Sequence, residues 1–199
     1  MITSINQLDF NKKYTYADYI LWQFKERVEL LKGQLFPMAA PNVTHQRISV
    51  AFTLKIGNYL QKNPCNLFTA PFDVRLPLPA NKVTATKIDT VIQPDLCVIC
   101  DDNKLDKQGC VGAPDLIIEI LSPGNSKREM KDKYELYEEA GVLEYWVVDP
   151  ERKTVHVFRI DEATQKFVAK SPVLTDEDVL DSSVFEGLEI VLAEVFPEE

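Results

Sequence analysis

The sequence predicts a single mixed α/β domain in which helices cover a central sheet. The chain has 199 residues, a length that suits one domain. Its predicted elements run in the order helix, hairpin, helix, several strands, helix and two strands, the pattern of a sheet with helices packed on it. Neither an internal repeat nor a low-complexity tract divides the chain. Within 1–199 we distinguish N-terminal helices and a hairpin (1–62), a core (63–160) and a peripheral C-terminal segment (161–199).

Three helices are predicted, over Thr15 to about Lys25, about His45 to Lys62, and from after Ser126 to about Ala140. Thr15 and Asp18 resemble a capping box, with Asp in place of Glu, which opens the first helix. In the second helix, apolar residues at helical spacing predict the buried stripe Ile48, Phe52, Ile56 and Tyr59. Gly141 stands where a left-handed glycine ends the third helix.

Short apolar stretches between turn signals predict the strands 28–31, 34–36, 67–70, 73–76, 91–100, 116–121, 144–148 and 154–160. The first two form a hairpin, because Gly33 between them can take the positive φ of a tight turn. The last two form a second hairpin, and Pro77–Asn81 predicts a loop between two middle strands. Apolar residues in the acidic C-terminal segment predict a peripheral strand or short helix packed on the core, with Leu180, Phe185, Leu188, Ile190 and Leu192.

The charge balance is acidic, with a formal net charge of -9 and a pI near 4.8. This argues against a protein that coats nucleic acid through bulk positive charge, since phosphate binding relies on clustered Lys and Arg. It leaves room for an enzyme with a local basic groove, because a metal-binding carboxylate cluster is itself negative before the metal binds. One interrupted basic segment is present, with Lys127, Arg128, Lys131 and Lys133.

No apolar run reaches the roughly 18 residues of a membrane span, and residues 1–10 lack the features of a secretory signal. We therefore expect a cytoplasmic protein without membrane association, with its four cysteines as reduced thiols: Cys65, Cys97, Cys100 and Cys110. The Cys97-x-x-Cys100 pair lies inside a predicted strand, where residues three apart point to opposite faces. No second pair or nearby His completes a zinc set, so we interpret both as small core residues.

Two carboxylates stand on successive predicted strands. Asp95 follows a proline, and Glu119 comes 24 residues later in the apolar strand 116–121. A carboxylate in the middle of an apolar strand is costly to bury unless it is paired or bound to a cation. One hypothesis is that Asp95 and Glu119 bind one divalent metal, for which hard oxygen ligands favour Mg²⁺ or Mn²⁺. The alternatives are a turn residue at Asp95 and a salt bridge at Glu119.

Asp115 is a second candidate for the aspartate ligand. It also follows a proline and lies four residues before Glu119, so both side chains would face the same side of one strand. We prefer Asp95, because ligands from two adjacent strands surround an ion better than two ligands from one strand.

The helix after Ser126 supplies a candidate cation. Glu129 and Lys133 are four residues apart and share a helix face, which by itself is typical of a surface ion pair. This helix follows the Glu119 strand directly, so Lys133 could reach the carboxylates and stabilise developing phosphate charge or orient a water. His45, at the start of the second helix, fits a structural role better when taken alone.

Several segments together form a recognisable pattern: Tyr14-Thr15, Glu29 to Gly33, His45-Gln46, Gln93 to Leu96, Gly112 to Pro123, Lys133 to Tyr137, Ala140 to Val142 and Glu144 to Pro150. This pattern resembles the Uma-type putative restriction endonuclease family, which is common in cyanobacteria. The resemblance covers roughly residues 14 to 160. It implies the PD-(D/E)XK nuclease superfamily and a restriction-endonuclease-like core, with a mixed central sheet flanked by helices.

The resemblance also implies roles for single residues. Asp95 takes the aspartate position of the motif and Glu119 its second acidic position, so that both would hold Mg²⁺ together with the Ile120 carbonyl. Leu121 stands where the superfamily has its lysine. The family pattern offers a lysine from the following helix instead, and Lys133 matches it. His45, Glu29, Asp115 and Glu129 are supporting candidates, and Glu129 stands where the family usually has Asp.

The resemblance implies a metal-dependent endonuclease that hydrolyses phosphodiester bonds of DNA. Dimerisation, frequent in that superfamily, would join two basic segments into one groove. An alternative is a catalytically inactive nuclease-fold protein that binds nucleic acid or a protein partner, which the apolar Leu121 supports. A third reading is metal-dependent hydrolysis of another phosphate ester. The distance from Lys133 Nζ to Asp95 and Glu119 distinguishes the active endonuclease from the inactive protein, because activity requires that Lys133 Nζ approach both carboxylates.

Overall fold

The computed structural model describes residues 2–78, 87–123 and 127–196. The side chains of Lys127, Arg128 and Glu129 lie outside this description. Two further predictions fall partly outside it, namely the loop at Pro77–Asn81 and the helix start after Ser126.

The described ranges contain helices of unequal length and many short strands. The helices are α1 (Tyr16–Tyr19), α2 (Val43–Leu60) and α3 (Lys127–Ala140), and 3-10 turns occupy Ile5–Gln7, Asp102–Lys104 and Leu192–Glu194. The strands are β1 (Val28–Leu31), β2 (Gln34–Pro37), β3 (Asn66–Thr69), β4 (Val74–Arg75), β5 (Val91–Ile92), β6 (Leu96–Ile99), β7 (Leu105–Asp106), β8 (Gly109–Val111), β9 (Leu116–Ile120), β10 (Glu144–Asp149), β11 (Thr154–Asp161), β12 (Lys166–Ala169), β13 (Leu174–Thr175), β14 (Val179–Asp181) and β15 (Glu189–Val191). Among the helices that the structure describes, none has the length and apolar character needed to cross a bilayer.

A mixed sheet forms the centre of the fold. Its strands lie in the order β12-β11-β10-β9-β6-β3, and β13 pairs with β11. β9 runs parallel to β10 and antiparallel to β6, so the sheet contains both orientations. β10 and β11 form the predicted hairpin, from the pair Glu144↔Arg159 to the pair Asp149↔Thr154. This confirms the predicted α/β class with a mixed central sheet.

Different helices cover the two faces of β9. One apolar cluster contains Leu116, Ile118 and Ile120 of β9 and the α2 stripe Ile48, Phe52, Ile56 and Leu60. Ile117 belongs instead to a second cluster with Leu136 and Tyr137 of α3. Because successive side chains of a strand alternate between faces, Glu119 lies on the face that α3 covers.

A second sheet, in the order β2-β1-β5-β4-β8-β7, carries the predicted N-terminal hairpin. β1 and β2 pair up to Leu31↔Gln34, which leaves two residues in the turn. Lys32 has φ 50° and Gly33 has φ 83°, the left-handed conformation that such a turn requires. A Cβ atom at Gly33 would lie 3.0 Å from Lys13 Cβ, so the close approach also favours glycine there.

The predicted strand 91–100 is wrong as one element, because the chain changes sheets within it. β5 pairs with β1 and β4 in the second sheet, whereas β6 pairs with β3 and β9 in the central sheet. Pro94 lies in the break, and proline has no N–H to donate to a sheet ladder. The break places Asp95 directly before β6, where the two sheets meet.

The first helix is shorter than predicted and ends at Tyr19. The Thr15–Asp18 capping box is present, with Thr15 N donating to Asp18 Oδ2 at 2.9 Å. Beyond the helix, Trp22 forms a parallel bridge with Ile2. This tertiary contact overrides the local helix signal that the sequence carries through the next residues.

Two of the four cysteines are joined, which contradicts the expectation of reduced thiols at both positions. Cys65, directly before β3, forms a disulfide with Cys100, directly after β6. Antiparallel pairing of these strands brings the two residues opposite each other, with Cα atoms 4.0 Å apart. Cys97 and Cys110 are free and buried, as the expectation of reduced thiols requires, and Cys97 is a small core residue as predicted.

The C-terminal segment packs on the α2 face of the central sheet. β14 and β15 pair with each other, and the apolar cluster on that face includes Leu180, Phe185, Leu188, Ile190 and Leu192. Glu144, at the start of β10, is completely buried and ties the segment down. Its Oε2 accepts hydrogen bonds from Ser183 N at 2.8 Å and Ser183 Oγ at 2.6 Å.

Candidate active site

A cleft of about 500 Å³ lies between the β1–β2 hairpin, α2, the start of β6 and the end of β9. Six of the residues singled out from the sequence line it: Glu29, His45, Asp95, Glu119, Ile120 and Lys133. They come from five separate parts of the chain, so the cleft exists only when both sheets and both long helices are in place.

Asp95 is fixed by the strand end beside it. Its Oδ2 accepts a hydrogen bond from Ile120 N at 2.8 Å and contacts His45 Nε2 at 3.1 Å. The first contact joins the start of β6 to the end of β9. The carboxylate is therefore held beside Glu119, which precedes Ile120 in the strand.

His45 is oriented by the start of α2. Its backbone N donates to Asn42 Oδ1 at 2.8 Å, which caps the helix, and the residue is only 7% exposed. Burial alone would lower the pKa of His45. The hydrogen bond and the charge of Asp95, with a further contribution from Glu119, outweigh burial and raise the pKa above 6.5.

Glu119 is contacted by two residues of α3. Lys133 Nζ lies 2.9 Å from Glu119 Oε1, and Tyr137 OH donates to the same oxygen at 2.5 Å. Lys133 and Tyr137 are four residues apart, so they share the helix face that covers β9. All three side chains are almost completely buried.

Glu29, on β1, is the second carboxylate that contacts the lysine. Its Oε2 lies 3.2 Å from Lys133 Nζ, and its Oε1 accepts a hydrogen bond from Gln93 N at 2.8 Å. Glu29 is 3% exposed, so this ion pair is excluded from solvent. Lys133 thereby connects the second sheet to the central sheet.

The cluster carries more negative than positive charge. Burial raises the pKa of Glu119 to about 7; Lys133 opposes the rise, and the charges of Asp95 and Glu29 add to it. Burial would lower the pKa of Lys133, but Glu119 and Glu29 more than compensate and raise it well above 10.5. Three carboxylates thus face one lysine and one histidine.

The donor set fits a divalent cation. Asp95 and Glu119 supply hard carboxylate oxygens from adjacent strands, and the surplus negative charge of the cluster favours a cation. Lys133 neutralises part of this charge. Within the ranges that the structure describes, no group of three or more His, Cys, Asp or Glu side chains is arranged as a preformed metal site.

Three sequence candidates are placed differently. Asp115 is not in the cleft; its Oδ2 accepts a hydrogen bond from Cys100 N at 2.8 Å, at the opposite end of β6. The side chain of Glu129 lies outside the described residues. Leu121, which the resemblance sets at the lysine position of the motif, packs against the apolar cluster on the α3 face.

Sequence reasoning missed Tyr137 and two further residues of the site. Tyr137 follows Lys133 by one helical turn, a spacing that could have indicated it. Gln93 and Arg27 meet through a hydrogen bond from Arg27 Nε to Gln93 Oε1 at 2.8 Å. No local signal indicates that contact, since it joins the residue directly before β1 to the residue directly after β5.

Comparisons with known proteins find relatives along most of the chain. The Uma2 family model, described as "Putative restriction endonuclease", matches residues 16–193. The uncharacterized protein slr1290 of Synechocystis sp. is 22% identical over 138 residues, which cover 68% of each chain. A crystal structure of a putative nuclease belonging to DUF820 from Anabaena variabilis is similar with a TM-score of 0.68 at 19% identity, covering 90% of this chain and 96% of that one. The fold is therefore restriction-endonuclease-like. Because the family model spans nearly the whole chain, the protein belongs to the Uma2 family of putative restriction endonucleases.

Proposed function

We propose that the protein is a Mg²⁺- or Mn²⁺-dependent endonuclease that hydrolyses phosphodiester bonds of DNA. The observation that supports this most directly is the approach of Lys133 Nζ to 2.9 Å from Glu119 Oε1, in a cleft that also contains Asp95. This contact supports the proposal that a lysine from α3 replaces the one missing at Leu121, so that Asp95, Glu119 and Lys133 together would form the nuclease site.

In this proposal, Asp95, Glu119 and the Ile120 carbonyl would hold the metal. When bound, such an ion polarises a phosphoryl oxygen and lowers the pKa of a coordinated water. Lys133 would hold the attacking water or offset charge on the phosphate. Its contacts with Glu119 and Glu29 already fix the position of its Nζ.

His45 and Tyr137 act as positioning residues. His45 holds Asp95 Oδ2 from one side while the Ile120 N–H holds it from the other. Tyr137 holds Glu119 Oε1 in the same way. Fixed carboxylates reduce the reorganisation needed when charge develops on the phosphate.

A catalytically inactive protein that binds nucleic acid or a protein partner is the second candidate. The packing of Leu121 into the apolar cluster favours it, because the usual lysine position of the superfamily is lost. Binding of DNA without cleavage in the presence of Mg²⁺ and Mn²⁺ would support this candidate over the nuclease.

Calorimetric titration with Mg²⁺ and Mn²⁺ tests the metal assignment without relying on activity. We expect binding to the wild type and no binding to Glu119→Ala at the same pH. Asp115→Asn is the matched control, because Asp115 lies outside the cleft and asparagine can still accept the Cys100 hydrogen bond. If Asp115→Asn loses the metal and Asp95→Ala retains it, the assignment of Asp95 is wrong.

Cleavage of plasmid DNA tests the reaction itself. Asp95→Ala and Glu119→Ala should each abolish cleavage while urea denaturation still shows a cooperative transition. Cleavage that persists in either variant rules out the proposed site. We further propose that residues 1–199 form one nuclease-like domain, that two copies associate as a homodimer and that the protein is cytoplasmic; each of these stays a prediction.

A further inference from the structure

Arg27 lies in the wall of the cleft, directly before β1 and two residues before Glu29. Its Nε donates to Gln93 Oε1 at 2.8 Å. Because alternate residues of an extended chain share a face, Arg27 and Glu29 both point toward the cleft.

The Gln93 side chain is itself fixed, which fixes the direction of the guanidinium. Gln93 Nε2 donates to Asp73 Oδ1 at 2.8 Å and to Tyr19 OH at 3.2 Å. Its backbone N donates to Glu29 Oε1. Gln93 is only 8% exposed, so water competes little for its hydrogen bonds.

One terminal nitrogen of Arg27 has no partner. Arg27 NH2 is buried and donates no hydrogen bond within the ranges that the structure describes. Arg27 also forms no ion pair with any described carboxylate, in contrast to Lys133, which contacts Glu119 and Glu29. Since NH2 has almost no surface of its own, a ligand would meet Arg27 through the part of its side chain that lines the cleft.

The chemistry of the cleft indicates which ligand that is. The three carboxylates that line it are balanced by Lys133 together with the proposed divalent metal, so a further cation in the wall is what would draw in a polyanionic strand. A planar guanidinium presents two donors that match the oxygens of a phosphate. Arg27 fits this need, because no described carboxylate pairs with it, whereas Lys133 contacts both Glu119 and Glu29.

We propose that Arg27 is a substrate-binding residue that donates to a phosphate oxygen of the nucleic-acid backbone, with Gln93 as the positioning residue that aims it. This inference rests on the proposed nuclease function. It adds a residue outside the acid pair and the lysine, and assigns the binding of the strand and the metal to separate side chains.

The test compares Arg27→Met and Arg27→Lys with the wild-type chain, and uses Arg152→Met as a matched control. Arg152 is 80% exposed at the β10–β11 turn, away from the cleft. Cleavage of a duplex oligonucleotide with Mg²⁺ gives kcat/KM, and its dependence on KCl gives the number of phosphate contacts. Calorimetry with Mg²⁺ and urea denaturation are run on every variant.

We expect Arg27→Met to lower kcat/KM by about 10- to 100-fold, as for loss of a charge-assisted hydrogen bond. The slope of log kcat/KM against log salt should become shallower by about one unit. Arg27→Lys should keep the salt slope and recover part of the rate, because lysine supplies charge without the planar fork. Mg²⁺ binding and the urea midpoint should not fall.

An unchanged kcat/KM and salt slope in Arg27→Met, with an active wild type, overturns this inference and leaves the nuclease assignment standing. A loss of rate that tracks a lower urea midpoint at constant salt slope also overturns it, because Arg27 would then be structural. A wild type that neither binds nor cleaves the oligonucleotide overturns the proposed function and this inference together.

Discussion

Lys133 Nζ lies 2.9 Å from Glu119 Oε1, although the lysine belongs to α3 and the glutamate to β9. In a strand-borne arrangement the lysine would stand at position 121, on the same strand and the same face as the glutamate. Here the lysine comes from the face of α3 that covers β9. The packing of α3 on β9 therefore determines whether Lys133 reaches Glu119.

Lys133→Gln should slow cleavage strongly and also destabilise the fold. We expect a loss of about 10²- to 10³-fold in kcat, the usual cost of removing one group that stabilises developing charge. Breaking a buried ion pair by deleting one partner costs about 3–5 kcal/mol of unfolding free energy, because Glu119 and Glu29 are left unpaired. Cleavage rates and urea denaturation measure both effects.

The matched control is Lys131→Gln, on the same helix. Lys131 is 73% exposed and forms only a surface pair with Glu135 at 3.5 Å, so its loss should cost less than about 1 kcal/mol. Equal losses of cleavage rate and unfolding free energy in Lys131→Gln and Lys133→Gln would contradict the role proposed for Lys133.

Tyr137→Phe should weaken the site without removing a charge. The variant deletes the 2.5 Å hydrogen bond to Glu119 Oε1, and we expect a loss of about 2 kcal/mol in unfolding free energy and about ten- to a hundredfold in kcat. Tyr134→Phe is the control, since Tyr134 OH reaches only Phe167 O at 3.4 Å on the edge of the cluster. A Tyr137→Phe enzyme with wild-type kcat would show that Glu119 needs no positioning.

The ion pair between Arg75 and Asp106 should make stability depend on pH in the acid range. The hydrogen bond from Arg75 lowers the pKa of Asp106 below 3.8. A lowered pKa in the folded state means that the contribution is complete above pH 3.8 and is lost as the pH falls through the folded pKa. The difference in urea midpoint between wild type and Asp106→Asn should be constant from pH 7 to about 5 and shrink below about 4.

Glu162→Gln serves as the control for that series. Glu162 is exposed and forms no ion pair within the described part of the chain. If the difference in urea midpoint between wild type and Asp106→Asn grew on acidification, the Arg75–Asp106 ion pair would not be its source.

The Cys65–Cys100 disulfide predicts a thiol count and a stability change. Protein unfolded in urea without reductant should show two reactive thiols, from Cys97 and Cys110, and four after reduction. The bridge closes a loop across 35 positions, so its reduction should lower the unfolding free energy by about 3–4 kcal/mol. Four thiols before reduction would show that the cysteines are not joined.

The fold could be predicted from the sequence where local signals agree. The apolar strand β9, the helix α3 with its terminal Gly141 and the hairpin of β10 and β11 all carry their own patterns. The break within 91–100 could not be predicted, because an apolar run does not show that the chain passes from one sheet to the other at Pro94. The end of α1 depends on the contact of Trp22 with Ile2, which local helix propensity cannot register.

The site could be predicted where a residue conflicts with its surroundings. Glu119 is a carboxylate in an apolar strand, and Lys133 follows on the next helix, so both are visible in the sequence. No sequence motif points to Arg27, and its contact with Gln93 joins positions 66 residues apart. Only the pairing of β1 with β5 brings the two residues together at the wall of the cleft.

Glu29 and Lys133 contact each other across 104 positions of the chain. During synthesis, the ribosome must have released everything from the first hairpin to α3 before this contact can form. A nascent or prematurely terminated chain that ends before residue 133 lacks the lysine altogether. The proposed catalytic lysine therefore joins the two glutamates only late in translation and folding.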